Sequence, residues 1–185
     1  MARLPFDETK LSAEDRALYQ AMVDRRRAHG APFGGPYAAL MNHPQLCRRV
    51  EELGFYLKFE GHLARDVYQF VVLAVARRTG APFEWVDHVA HARAAGLPDG
   101  VISSLGEHGI EAGRFPAPYD LAAAVLAATL DWKEIPAPVQ EAAIARFGME
   151  GFVELVVLSG FYQMFAGINQ GFAVEPPPGT PAPFH

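Results

Sequence analysis

The chain has 185 residues, half of them hydrophobic, with a net charge of −5 and a pI near 5.8. This length suffices for one domain with a sizeable core, which we expect over residues 1–175. The acidic balance argues against a nucleic-acid partner, and the single cysteine, Cys47, excludes an intramolecular disulfide. We expect the only basic run, Arg25–Arg27, to lie on a solvated helix face.

The N-terminal residues, 1–10, include two acids and lack the apolar core of a secretory signal. The longest apolar stretch, Phe152–Phe165, is interrupted by polar residues and is shorter than the roughly 20 residues that span a membrane. These features predict a soluble, cytoplasmic protein without a membrane partner.

The first helix is predicted from Ser12, an N-cap followed by two acids, to about Gly30. Asn42-His43-Pro44 interrupts the next helical stretch, and an amphipathic helix then runs to about Gly61. Residues 64–79 are apolar nearly all round, which favours a helix at the centre of a bundle.

Gly80 ends this central helix, and Pro82 is well placed at the first position of the next, which Gly96 terminates. Further helices are predicted over residues 98–109, 119–132, 136–147 and 149–171, with a loop at residues 113–118. Residues 176–185 form a proline-rich tail. Since no segment alternates apolar and polar residues between turns, the predicted fold class is all-α.

One turn of the helix after Pro82 carries the reactive side chains Glu84, Asp87, His88 and His91. At about 100° per residue, positions 84, 88 and 91 share a sector of roughly 60°. A carboxylate and an imidazole at this spacing can act as a general acid and base, with the assignment of the two roles open. The helix dipole would favour Glu84 at this position even without chemistry.

Glu84, His88 and His91 could instead hold a divalent metal, although histidines three residues apart crowd one another more than the usual pair four apart. No phosphate-binding glycine loop, nucleophile elbow or cysteine cluster is present in the sequence. These absences argue against nucleotide and acyl-enzyme chemistry. The protein we expect holds no metal and no cofactor.

Several segments between residues 42 and 171 form a recognisable pattern: Asn42-His43-Pro44, the helix 66–78, the segment 80–88, Ala94-Ala95-Gly96-Leu97, and the segment 154–164 with its Gly160-Phe161-Tyr162. Its most specific part is Glu84-Trp85-x-x-His88 with the following Ala-Gly-Leu. Together these segments resemble the carboxymuconolactone decarboxylase family of the alkylhydroperoxidase D-like superfamily.

The resemblance implies an alkylhydroperoxidase D-like helical bundle that assembles as a homotrimer or homohexamer, with the reactive helix at a pocket near a subunit contact. The peroxidase branch has a Cys-x-x-Cys pair where this chain has Ala81 and Glu84, so thiol peroxidase chemistry is not implied. The decarboxylase-like branch commonly has the glutamate, which implies that Glu84 and His88 are the catalytic pair. A further family glutamate is replaced here by Gln69, and an amide cannot relay a proton.

The function expected from these features is a cofactor-independent lyase or isomerase that acts on a small anionic lactone or hydroxy acid, in the catabolism of aromatic compounds. Gln69, Trp85, His91 and Tyr162 are the predicted substrate-binding residues. The alternatives are a non-catalytic oligomer that binds a ligand or partner, and the metal-binding enzyme. Nearby groups could assist: His62 as a replacement proton carrier, and Arg65, Arg77, Arg78 and Arg93 as anion-binding cations.

Overall fold

A computed structural model of the chain describes residues 4–110, 114–180 and 183. Within these ranges the regular structure is helical and contains no strand, which confirms the all-α prediction. The first residue of the predicted loop at 113–118 lies outside the described residues. The last residues of the predicted tail at 176–185 also lie outside them. The α-helices are α1 Ala13–Ala28, α2 Pro36–Leu40, α3 Pro44–Phe55, α4 Arg65–Thr79, α5 Pro82–Ala94, α6 Asp99–His108, α7 Tyr119–Leu130 and α8 Ala137–Gly171.

The helix ends follow from the residues that the sequence places there. The Ser12 hydroxyl accepts the amide of Asp15 and so caps α1. Gly80 ends α4 in the left-handed conformation, at φ 62°, and Pro82 opens α5, where a missing amide donor costs nothing. Gly148, at φ 75°, breaks α8 between the two predicted helices 136–147 and 149–171.

The chain divides into two compact units. The terminal unit contains Met1–Glu60 and Gly167–Glu175, and the central unit contains Gly61–Ala166 and Pro176–His185. That residues 1–175 form one domain stays a prediction.

In the terminal unit, one arginine of the basic run is buried, which corrects the expectation that all three are solvated. Arg26 is 6% exposed, because its Nε donates to the carbonyl of Pro32 at 3.0 Å and its guanidinium lies over the ring of Tyr37 at 4.6 Å. Its neighbour Arg25 pairs with the fully buried Glu51. A cationic side chain with such partners can be buried, so a run of basic residues does not by itself establish that each side chain is exposed to solvent.

Cys47 also lies in the terminal unit and is fully buried. Burial raises the pKa of its thiol to about 12, so the side chain stays protonated at neutral pH. The residue therefore behaves as a small apolar side chain, and its hydrogen-bond contact is with the carbonyl of Tyr37 at 3.5 Å.

The central unit is built around α4, which packs against α5, α6 and α7. Every residue of α4 from Val67 to Ala76 is buried, as the all-round apolar pattern predicted. The ring of Phe70 lies against Phe115 and Tyr119, at centroid distances of 5.1 and 5.4 Å. This buried helix carries Gln69 into the interior, and the tight turn at Gly80 brings α5 back against it.

The C-terminal end of α7 has a tryptophan where a glycine is favoured. The Lys133 amide donates to the carbonyl of Ala128 and the Trp132 amide to that of Thr129, which is the Schellman pattern of helix termination. Trp132 has φ 56°, and its side chain is 87% exposed. The left-handed backbone is therefore strained, and no burial of the indole offsets this strain.

Trp132→Gly is expected to raise the free energy of unfolding by about 1 kcal/mol, because glycine adopts this backbone without a Cβ clash. Urea unfolding followed by circular dichroism measures the change. Trp132→Ala is the matched control, which removes the indole but keeps the Cβ, and its stability should stay within about 0.5 kcal/mol of the parent. Equal stability of the two variants would contradict the assignment of strain to the backbone.

Among the described residues, α8 is the one helix long and apolar enough to cross a membrane by length and composition. Half of its most apolar window is buried within the protein, and core helices of soluble proteins pass the same test. The cytoplasmic location stays a prediction.

Candidate functional site

The candidate site lies on the first two turns of α5, where the sequence places Glu84 and His88 one turn apart. Both side chains point inward, with Glu84 3% and His88 4% exposed. His88 Nε2 lies 3.7 Å from Glu84 Oε2. The structure thus brings together the two predicted catalytic residues in a position that is sheltered from water.

Gln69 of α4 contacts the other nitrogen of the His88 ring. The distance from His88 Nδ1 to Gln69 Oε1 is 2.8 Å, and Gln69 is 1% exposed. An amide oxygen can only accept, so Nδ1 carries a proton and donates it to this bond. In the neutral imidazole the lone pair is therefore on Nε2, on the side of Glu84.

Tyr162 of α8 and Tyr68 of α4 extend the cluster. The hydroxyl of Tyr162 lies 3.3 Å from His88 Nε2, and the two tyrosine hydroxyls are 2.7 Å apart. Because Nε2 accepts in the neutral ring, Tyr162 donates to it and Tyr68 donates to Tyr162. Both tyrosines are buried. We call Gln69, Glu84, His88, Tyr162 and Tyr68 the His88 cluster.

Tyr68 is the member of the cluster that the sequence analysis missed. Its signal was a phenol within an otherwise apolar helix, since a buried tyrosine hydroxyl requires a hydrogen-bond partner. Nothing in the local sequence indicates that this partner is Tyr162, which lies 94 residues away.

The remaining predicted residues occupy different positions around α5. The ring of His91 is partly exposed and lies 5.9 Å from that of His88. Asp87 is exposed, with its carboxylate 3.8 Å from His88 Nε2. Trp85 is buried with its indole next to Gly106 of α6, where an added Cβ would be only 3.3 Å from the ring. The substrate-binding roles of Trp85 and His91 stay predictions.

Three of the four candidate anion-binding arginines are engaged away from the cluster. Arg77 donates to the carbonyl of Gly106, Arg78 pairs with Asp131, and Arg93 pairs with Asp99. Arg65 differs, because its guanidinium lies 5.0 Å from the centre of the Tyr68 ring. Of the four, it is the cation in contact with the cluster.

His62 pairs with Glu154 of α8. Its Nδ1 lies 3.0 Å from Glu154 Oε1, while the amides of His62 and Leu63 donate to Glu154 Oε2 at 2.7 and 3.2 Å. The hydrogen bond that His62 Nδ1 donates to the Glu154 carboxylate raises the pKa of His62 above its ordinary value, and the charges of Glu154 and Glu150 act in the same direction. His62 is thus anchored to α8, and no contact joins it to the His88 cluster among the described residues.

Glu154→Gln is expected to lower the pKa of His62, because the amide keeps a hydrogen-bonding group but loses the charge. Proton NMR titration of the His62 ring measures the change, and Glu150→Gln, which removes a smaller contribution, is the matched control. Since the raised pKa belongs to the folded state, the stabilisation from this pair is full below the pKa of unfolded histidine and disappears as the pH rises through the folded value. An equal effect of both variants would contradict this assignment.

The metal alternative receives no support from the geometry. Among the residues that the structure describes, no group of three or more histidine, cysteine, aspartate or glutamate side chains is arranged to hold a metal ion.

Comparisons of the chain with protein-family models, with curated proteins and with solved structures find no match. The functional interpretation therefore depends on the geometry of the His88 cluster and on the sequence resemblance.

Proposed function

We propose that the protein is a carboxymuconolactone decarboxylase-like lyase or isomerase that transfers protons by means of Glu84 and His88. The observation that carries this proposal is the buried His88 imidazole, whose Nδ1 is bonded to Gln69 and whose Nε2 lies between Glu84 and Tyr162. One nitrogen is thus oriented by a neutral partner, which leaves the other to exchange a proton. The substrate would be a small anionic lactone or hydroxy acid.

In the proposed isomerase step, a substrate C–H bond next to a carbonyl breaks and Nε2 of His88 accepts the proton. The electron pair moves to the carbonyl oxygen, which becomes an enolate. The hydroxyl of Tyr162, released from Nε2, donates a hydrogen bond to this oxygen. The carboxylate of Glu84 stabilises the imidazolium, and return of the proton to a different carbon completes the isomerisation.

In the proposed lyase step, a C–C bond to a carboxylate breaks, carbon dioxide leaves and the electron pair forms the same enolate. Here the imidazolium of His88 supplies the proton at Nε2. Burial of the cluster favours both steps, because charge interactions are stronger where water is excluded. The isomerase step thus starts from the neutral imidazole of His88, and the lyase step starts from its imidazolium.

We further propose that the fold is alkylhydroperoxidase D-like and that the protein is a cytoplasmic homotrimer or homohexamer. One observation supports self-association. The side chains of Met149, Val153, Val157 and Met164 are exposed at helical spacing along α8, and a second copy could cover such an apolar face.

The test is proton NMR of the purified protein in deuterium oxide with a panel of carboxylated lactones and hydroxy acids. The parent should catalyse loss of the proton signal next to the carbonyl, and Glu84→Gln should slow this exchange about a hundredfold or more. Glu141→Gln, an exposed glutamate, is the matched control and should exchange like the parent. Equal exchange in both variants would contradict the role of Glu84.

A second function, ligand binding without catalysis, is favoured by one residue. Gln69 replaces the family glutamate next to His88, and an amide cannot carry a proton away. Exchange no faster than without protein over the whole panel, combined with saturable binding of one member, would favour this function over the first.

A further inference from the structure

A cavity of about 270 Å³ lies in the central unit, near the N-terminus of α4. We call it the Arg146 cavity. Its volume is just below the roughly 300–1,000 Å³ of pockets for drug-sized ligands, so it suits a smaller molecule. Its lining includes the polar residues His62, Asp66 and Arg146 and the apolar residues Leu63, Val67 and Phe147. None of these belongs to the His88 cluster.

The imidazole of His62 is held in place at this cavity. Its Nδ1 is bonded to the carboxylate of Glu154, whose side chain is 8% exposed and also accepts two backbone amides. Nε2 of His62 has no partner among the described residues, and in the imidazolium form it is a donor. The buried carboxylate thus orients the ring and leaves one of its donors unused.

Arg146 supplies a second unused donor group. Its guanidinium has no hydrogen-bond or ion-pair partner in the part of the chain that the structure describes. Two carboxylates near the cavity already accept hydrogen bonds, Glu154 from the amide of His62 and Asp66 from the hydroxyl of Tyr119 at 2.7 Å. The unused donors at the cavity are therefore the Arg146 guanidinium and Nε2 of His62, and the side chains of Leu63, Val67 and Phe147 supply apolar surface beside them.

We infer that the Arg146 cavity binds a small carboxylate with an apolar body, whose oxygens accept hydrogen bonds from the Arg146 guanidinium and from Nε2 of protonated His62. Guanidinium and carboxylate match as planar, two-pronged partners. The apolar body lies against Leu63, Val67 and Phe147. This site is independent of the proposed function of the His88 cluster, because the two share no residue.

Binding at this site depends on pH through His62. The groups that act on its charge are Glu154 and Glu150 from α8, with Asp66 of α4 and Arg146 of α8 on the same cavity. The hydrogen bond to Glu154 raises the pKa of His62, so the imidazolium donor persists to higher pH than for an ordinary histidine. Affinity should fall as the pH rises through this pKa.

The test is a proton NMR titration of the full chain with benzoate, and with benzamide as the uncharged probe of the same shape. Benzoate should shift the His62 ring signals saturably at concentrations up to about 10 mM, and benzamide should bind at least tenfold more weakly. Arg146→Gln should weaken benzoate binding about tenfold or more. Arg27→Gln, which removes an arginine paired with Asp24 at the surface, is the matched control and should bind like the parent.

Absence of saturable benzoate binding would overturn the inference, as would equal affinities of Arg146→Gln and the parent, or equal weakening by Arg27→Gln. Arg146 is exposed, so its replacement is expected to preserve the fold, which circular dichroism checks. His62→Gln supplies a second readout, because it should abolish the pH dependence while leaving residual binding to Arg146. Failure of the exchange assay for Glu84 would leave this result unaffected.

Discussion

His88→Asn is expected to slow deuterium exchange by about 10²–10⁴-fold, the usual contribution of a positioned acid or base. In the parent, His88 Nδ1 donates to Gln69 Oε1 at 2.8 Å. The asparagine amide nitrogen occupies a place close to that of Nδ1 and can still donate to this oxygen. It cannot bind and release a proton at neutral pH. The variant therefore separates proton transfer from the hydrogen bond that orients the side chain.

His108→Asn is the matched control, since His108 pairs with Glu107 at the surface and belongs to neither proposed site. It should exchange at the rate of the parent. The rates are measured by proton NMR in deuterium oxide, and thermal unfolding shows that both variants are folded. A folded His88→Asn variant with the parental exchange rate would contradict the role of the imidazole in proton transfer.

Phe70→Ala is expected to lower the free energy of unfolding by about 3–5 kcal/mol. Phe70 is fully buried at the centre of α4, and its ring packs against those of Phe115 and Tyr119. Truncation removes the apolar area of the ring and leaves a cavity between helices that are held by several other contacts, so collapse around the site can be only partial.

Urea unfolding followed by tryptophan fluorescence measures this loss, because Trp85 is buried in the same unit whereas Trp132 is already exposed in the folded protein. Phe70→Leu is the graded control, which keeps much of the volume and should cost less than half as much as alanine. A loss below about 1 kcal/mol for alanine would mean that the Phe70 ring is not part of a close-packed core.

Much of the helical pattern was predictable because helix ends are local. Ser12 caps α1, Gly80 ends α4 and Pro82 begins α5 by interactions within a few residues of chain. The break at Gly148 was predictable for the same reason. The left-handed backbone at Trp132 was not predictable, because a left-handed residue other than glycine leaves no signal in the local sequence.

Burial of charge was the weakest part of the sequence-based prediction. Arg26 lies in a run of three arginines, and its burial depends on Pro32 and Tyr37, which only folding brings to the guanidinium. His62 likewise has its partner, Glu154, 92 residues away. In both cases the local sequence indicates that a charged side chain is present, but it does not indicate which distant residue pairs with that side chain.

The sequence by itself determined the helices and the alignment of Glu84 with His88, because four residues make one helical turn whatever surrounds it. Tertiary structure decided which groups meet that pair. Gln69 and Tyr162 reach His88 across 19 and 74 residues of chain, and their contacts orient the imidazole and determine which of its nitrogens donates and which accepts. Such contacts depend on how whole helices pack, since side-chain volumes throughout the core fix the position and rotation of each helix.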